Sequence, residues 1–180
     1  MSVFFTADHH FGHKNIIEYA NRPFASVQEM NETLIARWND VVGEDDEVYH
    51  LGDVGLASSG KLRHILNQLR GNHEKSAEAC HTRFEWIKDY HELILPDAET
   101  ERGEQLIVLF HYALRTWNAS HWGSYHLYGH SHGSLPDDSA ARSFDIGVDC
   151  HDFRPLSYAQ VKAIMARKEW RPPYKNQARG

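Results

Sequence analysis

Five short clusters along the chain carry carboxylate and imidazole side chains: ADHH (Asp8, His10), LGDV (Asp53), RGNHE (Asn72, His73), LFHYAL (His111) and YGHSHG (His130, His132). Carboxylates and imidazoles that converge without thiolates suit a first-row divalent cation such as manganese, iron, cobalt, nickel or zinc better than calcium. Three such clusters would serve mononuclear chemistry, and here there are five. In YGHSHG, residues two apart in an extended segment can hand one imidazole to each of two ions. Gly129 and Gly133 let the backbone turn closely around them.

Such clusters need elements that present them, and four of the five directly follow apolar runs. Val3 to Ala7 reads as a buried strand ending at Asp8, His9 and His10, and Glu47 to Leu51 does the same for Gly52 and Asp53. Leu106 to Phe110 ends at His111, Tyr125 to Tyr128 at Gly129 and His130, and Phe144 to Val148 at Asp149. Between strands, Ser26 with Glu29 forms a capping box before Val27, Met30, Leu34, Ile35, Trp38 and Val41, which predicts a helix over 26–42. Ser157 with Gln160 starts a second helix with Tyr158, Val161, Ile164 and Met165 inward, and Lys14 to Tyr19 reads as a short one. LILPDAETERGEQLIVLF reads as a hairpin turning over 96–104. Alternating strands and helices imply an α/β fold, whose ligands bind beyond the strand ends.

At 180 residues, 41% hydrophobic and 24% charged, the chain fits one domain over 1–169, followed by a basic tail over 170–180. A formal charge of −6 argues against a sequence-independent nucleic-acid binder, so nucleic acid is not an expected partner. Cys80 and Cys150 show no disulfide or zinc-site spacing, which together with the lack of a leader or a membrane-length apolar stretch leads us to expect a soluble, cytoplasmic protein. The oligomeric state is not legible.

Taken in order, the clusters resemble the signature of the metallophosphoesterases, the calcineurin-like phosphoesterase superfamily: D-x-H, GD, GNH[DE], H and GHxH. The resemblance covers roughly residues 3 to 155. It implies a four-layer α/β sandwich of two mixed β-sheets flanked by helices. It also implies two divalent metal ions, manganese favoured, with Asp8, His10, Asp53 and His132 on the first and Asp53, Asn72, His111 and His130 on the second. Asp53 would then bridge. Two divalent ions, two carboxylates and a bridging hydroxide sum to about +1, a centre that attracts phosphate. In the mechanism this implies, that hydroxide attacks phosphorus while His73, beside the site without being a ligand, protonates the leaving oxygen. The expected activity is phosphoester hydrolysis on a small molecule or nucleotide, with diesters favoured because no pocket code for one monoester is evident. The alternatives are a phosphomonoesterase and a metal-binding module that holds phosphorylated ligands without turnover. GDVGLA lacks the DRG continuation of the protein Ser/Thr phosphatase branch.

One spacing departs from the family's pattern. Asp53 and Asn72 are 19 residues apart, whereas a βαβ unit takes about 30 or more. Leu62, Ile65, Leu66 and Leu69 have helical spacing, so either a helix runs nearly into RGNHE or 63–69 is a strand and the crossover is lost. Among the remaining histidines, His9 is expected to face away from the metals, His13 to touch substrate or cap a helix, and His50 and His126 to be structural. Arg22, Arg115 and Arg154 are candidate phosphate clamps whose plainer role is solvation. Trp117 and Trp122 are expected to pack in the core.

Overall fold

The computed structural model describes residues 1–70 and 84–174. Two mixed β-sheets and four α-helices make an α/β fold. The first sheet has the order β2 (Glu47–His50), β1 (Val3–Thr6), β7 (Leu156–Ser157), with β2 parallel and β7 antiparallel to β1. The second has the order β3 (Tyr90–Pro96), β4 (Glu104–Phe110), β5 (Tyr125–Tyr128), β6 (Ser143–Asp145). Its β3–β4 pair is the expected hairpin, in register from Tyr90 opposite Phe110 to Pro96 opposite Glu104. The pairs β4–β5 and β5–β6 are parallel.

The period of two along β1 separates two cores. Phe5 points between the sheets, into a cluster with Ile107, Leu127, Ile146 and the inward face of α4 (Tyr158–Ala166). Phe4 points outward, into a cluster with Met30, Leu34 and Trp38 of α2 (Val27–Val41) and Ile65 and Leu66 of α3 (Ser59–Leu66). On the far face of the second sheet the cover is the 111–124 connection, where Leu114 and Trp117 meet the buried His126.

Both capping signals work locally. Ser157 and Gln160 bond reciprocally at the start of α4. At α2, Ser26 accepts from the Glu29 amide, but the Glu29 carboxylate reaches back to the Ala25 amide instead of that of Ser26. The short helix α1 (Ile16–Tyr19) ends just before Asn21, which adopts φ +49°. Residues 59–66 are helical, which answers the question over 58–69 in favour of a helix. Asn72 and His73 lie outside the described residues.

Two expectations are corrected. The last strand, expected over 144–148, ends at Asp145 and gives way to a 3-10 turn at Val148–Cys150. The cause is a close approach: a Cβ on Gly147 would sit 2.6 Å from Asp8 Oδ2, so the chain turns past the end of β1 here. Trp122 is 63% exposed, in a surface cluster with His121 and Arg102. Trp117, also expected in the core, is partly buried against His126 outside both core clusters, its indole donating to the Ser124 carbonyl. The start of the tail docks: the Arg171 amide bonds the Ala140 carbonyl, and the Trp170 ring lies under the Arg142 guanidinium.

Candidate metal centre

Every candidate ligand that the structure describes follows a strand that runs parallel to a neighbour. Asp8 and His10 follow β1, Asp53 follows β2, His111 follows β4, and His130 and His132 follow β5. Beyond the strand ends the backbone leaves the extended region. Asp8, His10, Asp53, His130 and His132 all have φ between 48° and 69°, the left-handed region that L-residues adopt at a cost of about 1 kcal/mol or more each. Among the described residues, five of the nine non-glycine residues with positive φ are thus candidate ligands, so the strain is concentrated where side chains must converge.

The side chains form two trios, Asp8–His10–His132 and Asp53–His111–His130, with the ligand atoms of each trio within 4.8 Å of one another. Asp53 joins them. Its Oδ2 lies 3.4 Å from His10 Nε2 and 3.6 Å from His111 Nε2. Three of the imidazoles have Nδ1 occupied, which directs Nε2 to an ion. Nδ1 of His111 faces the Leu51 carbonyl at 2.9 Å, Nδ1 of His132 faces Asp149 Oδ2 at 2.7 Å, and Nδ1 of His10 faces His13 Nδ1 at 3.4 Å.

Two buried atoms test whether this donor set fits cations. Asp8 Oδ1 and His10 Nε2 are buried with no hydrogen-bond partner in the protein, an arrangement that is costly unless something else satisfies them. Asp8 Oδ2, by contrast, accepts from the His130 amide. Burial pushes the Asp8 carboxyl up to about 7, against the pull of His132, and pushes His10 down to about 4 despite Asp53. The hydrogen bond to Asp149 raises His132. Burial alone would raise Asp149, but its bonds from His132 and Arg22 prevail and hold it below the usual carboxylate range. A neutral His10 and a buried carboxyl group with one oxygen unpartnered are a state from which a divalent ion can be bound.

No protein-family model matches the chain. It is 32% identical over 181 residues to the uncharacterized protein MJ1445 of Methanocaldococcus jannaschii, an alignment that covers 92% of each chain. The chain belongs to the family of that archaeal protein. A shorter stretch of 65 residues, 36% of this chain and 31% of the other, is 40% identical to the gene 66 protein of Mycobacterium phage L5. The fold is shared with a crystal structure of a protein of unknown function, AQ665 of Aquifex aeolicus, at a TM-score of 0.65 and 20% identity over 91% of this chain and 98% of that one.

The structure therefore brings together six of the sequence-predicted residues: Asp8, His10, Asp53, His111, His130 and His132. Asn72 and His73 fall outside the described residues. As expected, His9 turns away: it is fully buried between Phe11 and Trp38, and its Nδ1 lies 2.9 Å from His50 Nε2. His50 takes the Gly52 amide on Nδ1, and His126 bridges Val108 and Leu114. His13 packs beside His10 and Tyr19.

Arg22 corrects the sequence reading, since its side chain is fully buried and bonded within the protein, with no face for a phosphate. Arg154 is held by Asp40 and Asp152, and Arg115 lines a small hollow that contains none of the candidate ligands. Sequence reasoning missed two carboxylates. Asp145 accepts from Ser131 Oγ and the Gly133 and Gly147 amides, tying down the GHSHG loop, and Asp149 orients His132. Their signal was position, Asp145 being the charged residue inside the last apolar run and Asp149 the one that ends it. Beside the second trio opens a cleft of about 730 Å³ with Asp53, His111 and Tyr112 on its wall. No described helix is long and apolar enough to cross a membrane.

Proposed function

We propose that the protein is a dinuclear-metal-dependent phosphoester hydrolase acting on phosphodiesters. The observation that carries this reading is the pair of ligand trios joined at Asp53, with Asp8 Oδ1 and His10 Nε2 buried and unpartnered between them. The ordered clusters that resemble the metallophosphoesterases supply the choice of chemistry. Bound there, two divalent cations, manganese favoured, would draw a nucleophile from water and neutralise charge on the phosphate oxygens.

The chain's own residues prepare the site. Asp8 and Asp53 bring the negative charge that a pair of cations requires. His10, His111 and His132 present Nε2 because their Nδ1 atoms are engaged. The Tyr112 ring packs on both His111 and His130 and limits their rotation. On the strength of the GNHE motif, Asn72 completes the second ligand set and His73 donates the proton to the leaving oxygen. The reading includes a reducing, cytoplasmic setting, which the unpaired Cys150 supports.

The test compares hydrolysis of bis(p-nitrophenyl) phosphate and p-nitrophenyl phosphate by metal-stripped protein, before and after manganese is restored, with Asp53→Asn as the control. Metal-dependent turnover that favours the diester and disappears in the variant is the expected result. Preference for the monoester would make the protein a phosphomonoesterase. Two bound ions without turnover of either ester would replace the hydrolase with a phospho-ligand module.

A further inference from the structure

All three members of the first trio trace back to one buried guanidinium. Arg22 Nη2 donates to the Asp8 carbonyl at 2.6 Å, and Nη1 donates to the His9 carbonyl, directly before His10, at 2.9 Å. Nε and Nη2 form a fork on the two Asp149 oxygens, each at 2.8 Å, and Asp149 Oδ2 in turn meets His132 Nδ1 at 2.7 Å. Nη1 also approaches Met30 Sδ at 3.4 Å, from the helix behind. The side chain of Arg22 is fully buried and that of Asp149 is 8% exposed.

Burying such an ion pair is expensive, and a lone packing role would be served as well by apolar residues. A planar fork that serves two backbone carbonyls and a carboxylate is geometry that lysine cannot reproduce. The carbonyls it holds belong to Asp8 and to the residue between Asp8 and His10, and both of those candidate ligands lie in the left-handed region. The bonds of Arg22 do not reach the second trio: His111 leans on the Leu51 carbonyl, His130 reaches Asp8 through its amide, and the Asp53 carbonyl accepts from the His10 amide.

We propose that Arg22 and Asp149 are positioning residues dedicated to the first of the two cation sites, with Arg22 holding the Asp8–His10 backbone and Asp149 presenting His132 Nε2. The inference rests on the metal reading above for what is bound, but the Arg22–Asp149–His132 chain can be tested without any metal.

The first measurement is manganese binding by calorimetry, with electron paramagnetic resonance to count the bound ions, on the wild type, Asp149→Asn and Arg22→Lys. His111→Ala identifies which binding step belongs to the second trio. In both Asp149→Asn and Arg22→Lys the first-trio step weakens roughly 10–100-fold, while the second step stays within about threefold of the wild type. Wild-type affinity for both ions in both variants would overturn the proposal, as would equal weakening of both steps. The second measurement is the ¹⁵N spectrum of the imidazoles in metal-free protein at pH 8. His132 is expected as the Nδ1–H tautomer in the wild type, shifting toward Nε2–H in Asp149→Asn. Finding His132 as Nε2–H in the wild type would overturn the proposal even if a buried variant failed to fold. A wild type that binds no manganese but shows the Nδ1–H tautomer would sink the metal reading and leave the positioning chain standing.

Discussion

The two trios meet at the Asp53 carboxylate, a member of the outer one, and differ in how they are held. Asp8, His10 and His132 sit at the inner end of the centre, fixed through Arg22 and Asp149 from behind. Asp53, His111 and His130 sit at the outer end, where the Asp53 side chain is 44% exposed and the flanking cleft begins. The inner trio is built in advance, with its cost in strain and desolvation already met by the fold. The outer one keeps an open side, where a substrate can approach. Under the hydrolase reading proposed above a centre needs both properties, and they fall to different ends of one constellation.

Several measurements would break or sharpen that contrast. The largest effect belongs to Asp53→Asn, which removes the carboxylate through which the two trios meet. Loss of both ions and of turnover is expected, beyond the roughly 10–100-fold that an outer partner commands, and retention of either ion at wild-type affinity would dissolve the picture of a shared bridge. Next come the glycines that abut each trio. A Cβ on Gly147 would lie 2.6 Å from Asp8 Oδ2, and one on Gly52 would lie 2.7 Å from His111 Nδ1. Alanine at either position should cost about 1–3 kcal/mol by thermal melting, with Gly147→Ala weakening inner binding and Gly52→Ala outer binding. If both variants weaken the same step, the trios are not separable.

A subtler effect lies in pH. With the metal absent, Asp8 is pushed up to about 7 by burial, so below that pH the carboxyl carries a proton that an incoming cation must displace. Inner binding should therefore release a proton from Asp8 at pH 6, with a further one from His132, which its bond to Asp149 raises, and fewer protons at pH 8.5, and its affinity should fall as the pH drops below 7. Calorimetry in two buffers of different ionisation enthalpy reads this directly. Binding that released no proton at pH 6 would remove Asp8 from the ligand set. The smallest effect is a control outside the centre. Tyr158→Phe removes the bond to Asp97 that pins α4 to the hairpin turn, which should cost about 1 kcal/mol of stability and leave both binding steps unchanged.

The strands and ligands were legible because each is a local signal. An apolar run such as Val3 to Ala7 reports burial on both faces, and the polar residue that ends it reports the strand's C-terminal edge. The backbone at those edges was not legible. Hydrophobic period describes regular elements, whereas Asp8, His10 and Asp53 leave the extended region two to four residues beyond β1 and β2. The same limit explains the early end of β6, set by contact between Gly147 and Asp8 across 139 positions. Arg22 was misread because a guanidinium suits phosphate and carboxylate equally, and nothing near residue 22 points to Asp149. Trp122 was misread because aromatic content alone does not distinguish a core from a surface cluster such as that around His121 and Arg102.

The link between Arg22 and Asp149 spans 127 positions, and this sets when the inner trio can come into being. During synthesis Asp8 and His10 leave the ribosome well before Asp149, so their anchor has no counter-charge until residue 149 has followed. The early chain thus carries a histidine-rich segment whose anchor is incomplete, and the inner trio becomes one of the last parts of the fold to assemble. Chains stalled before that point should hold manganese no better than an unstructured peptide.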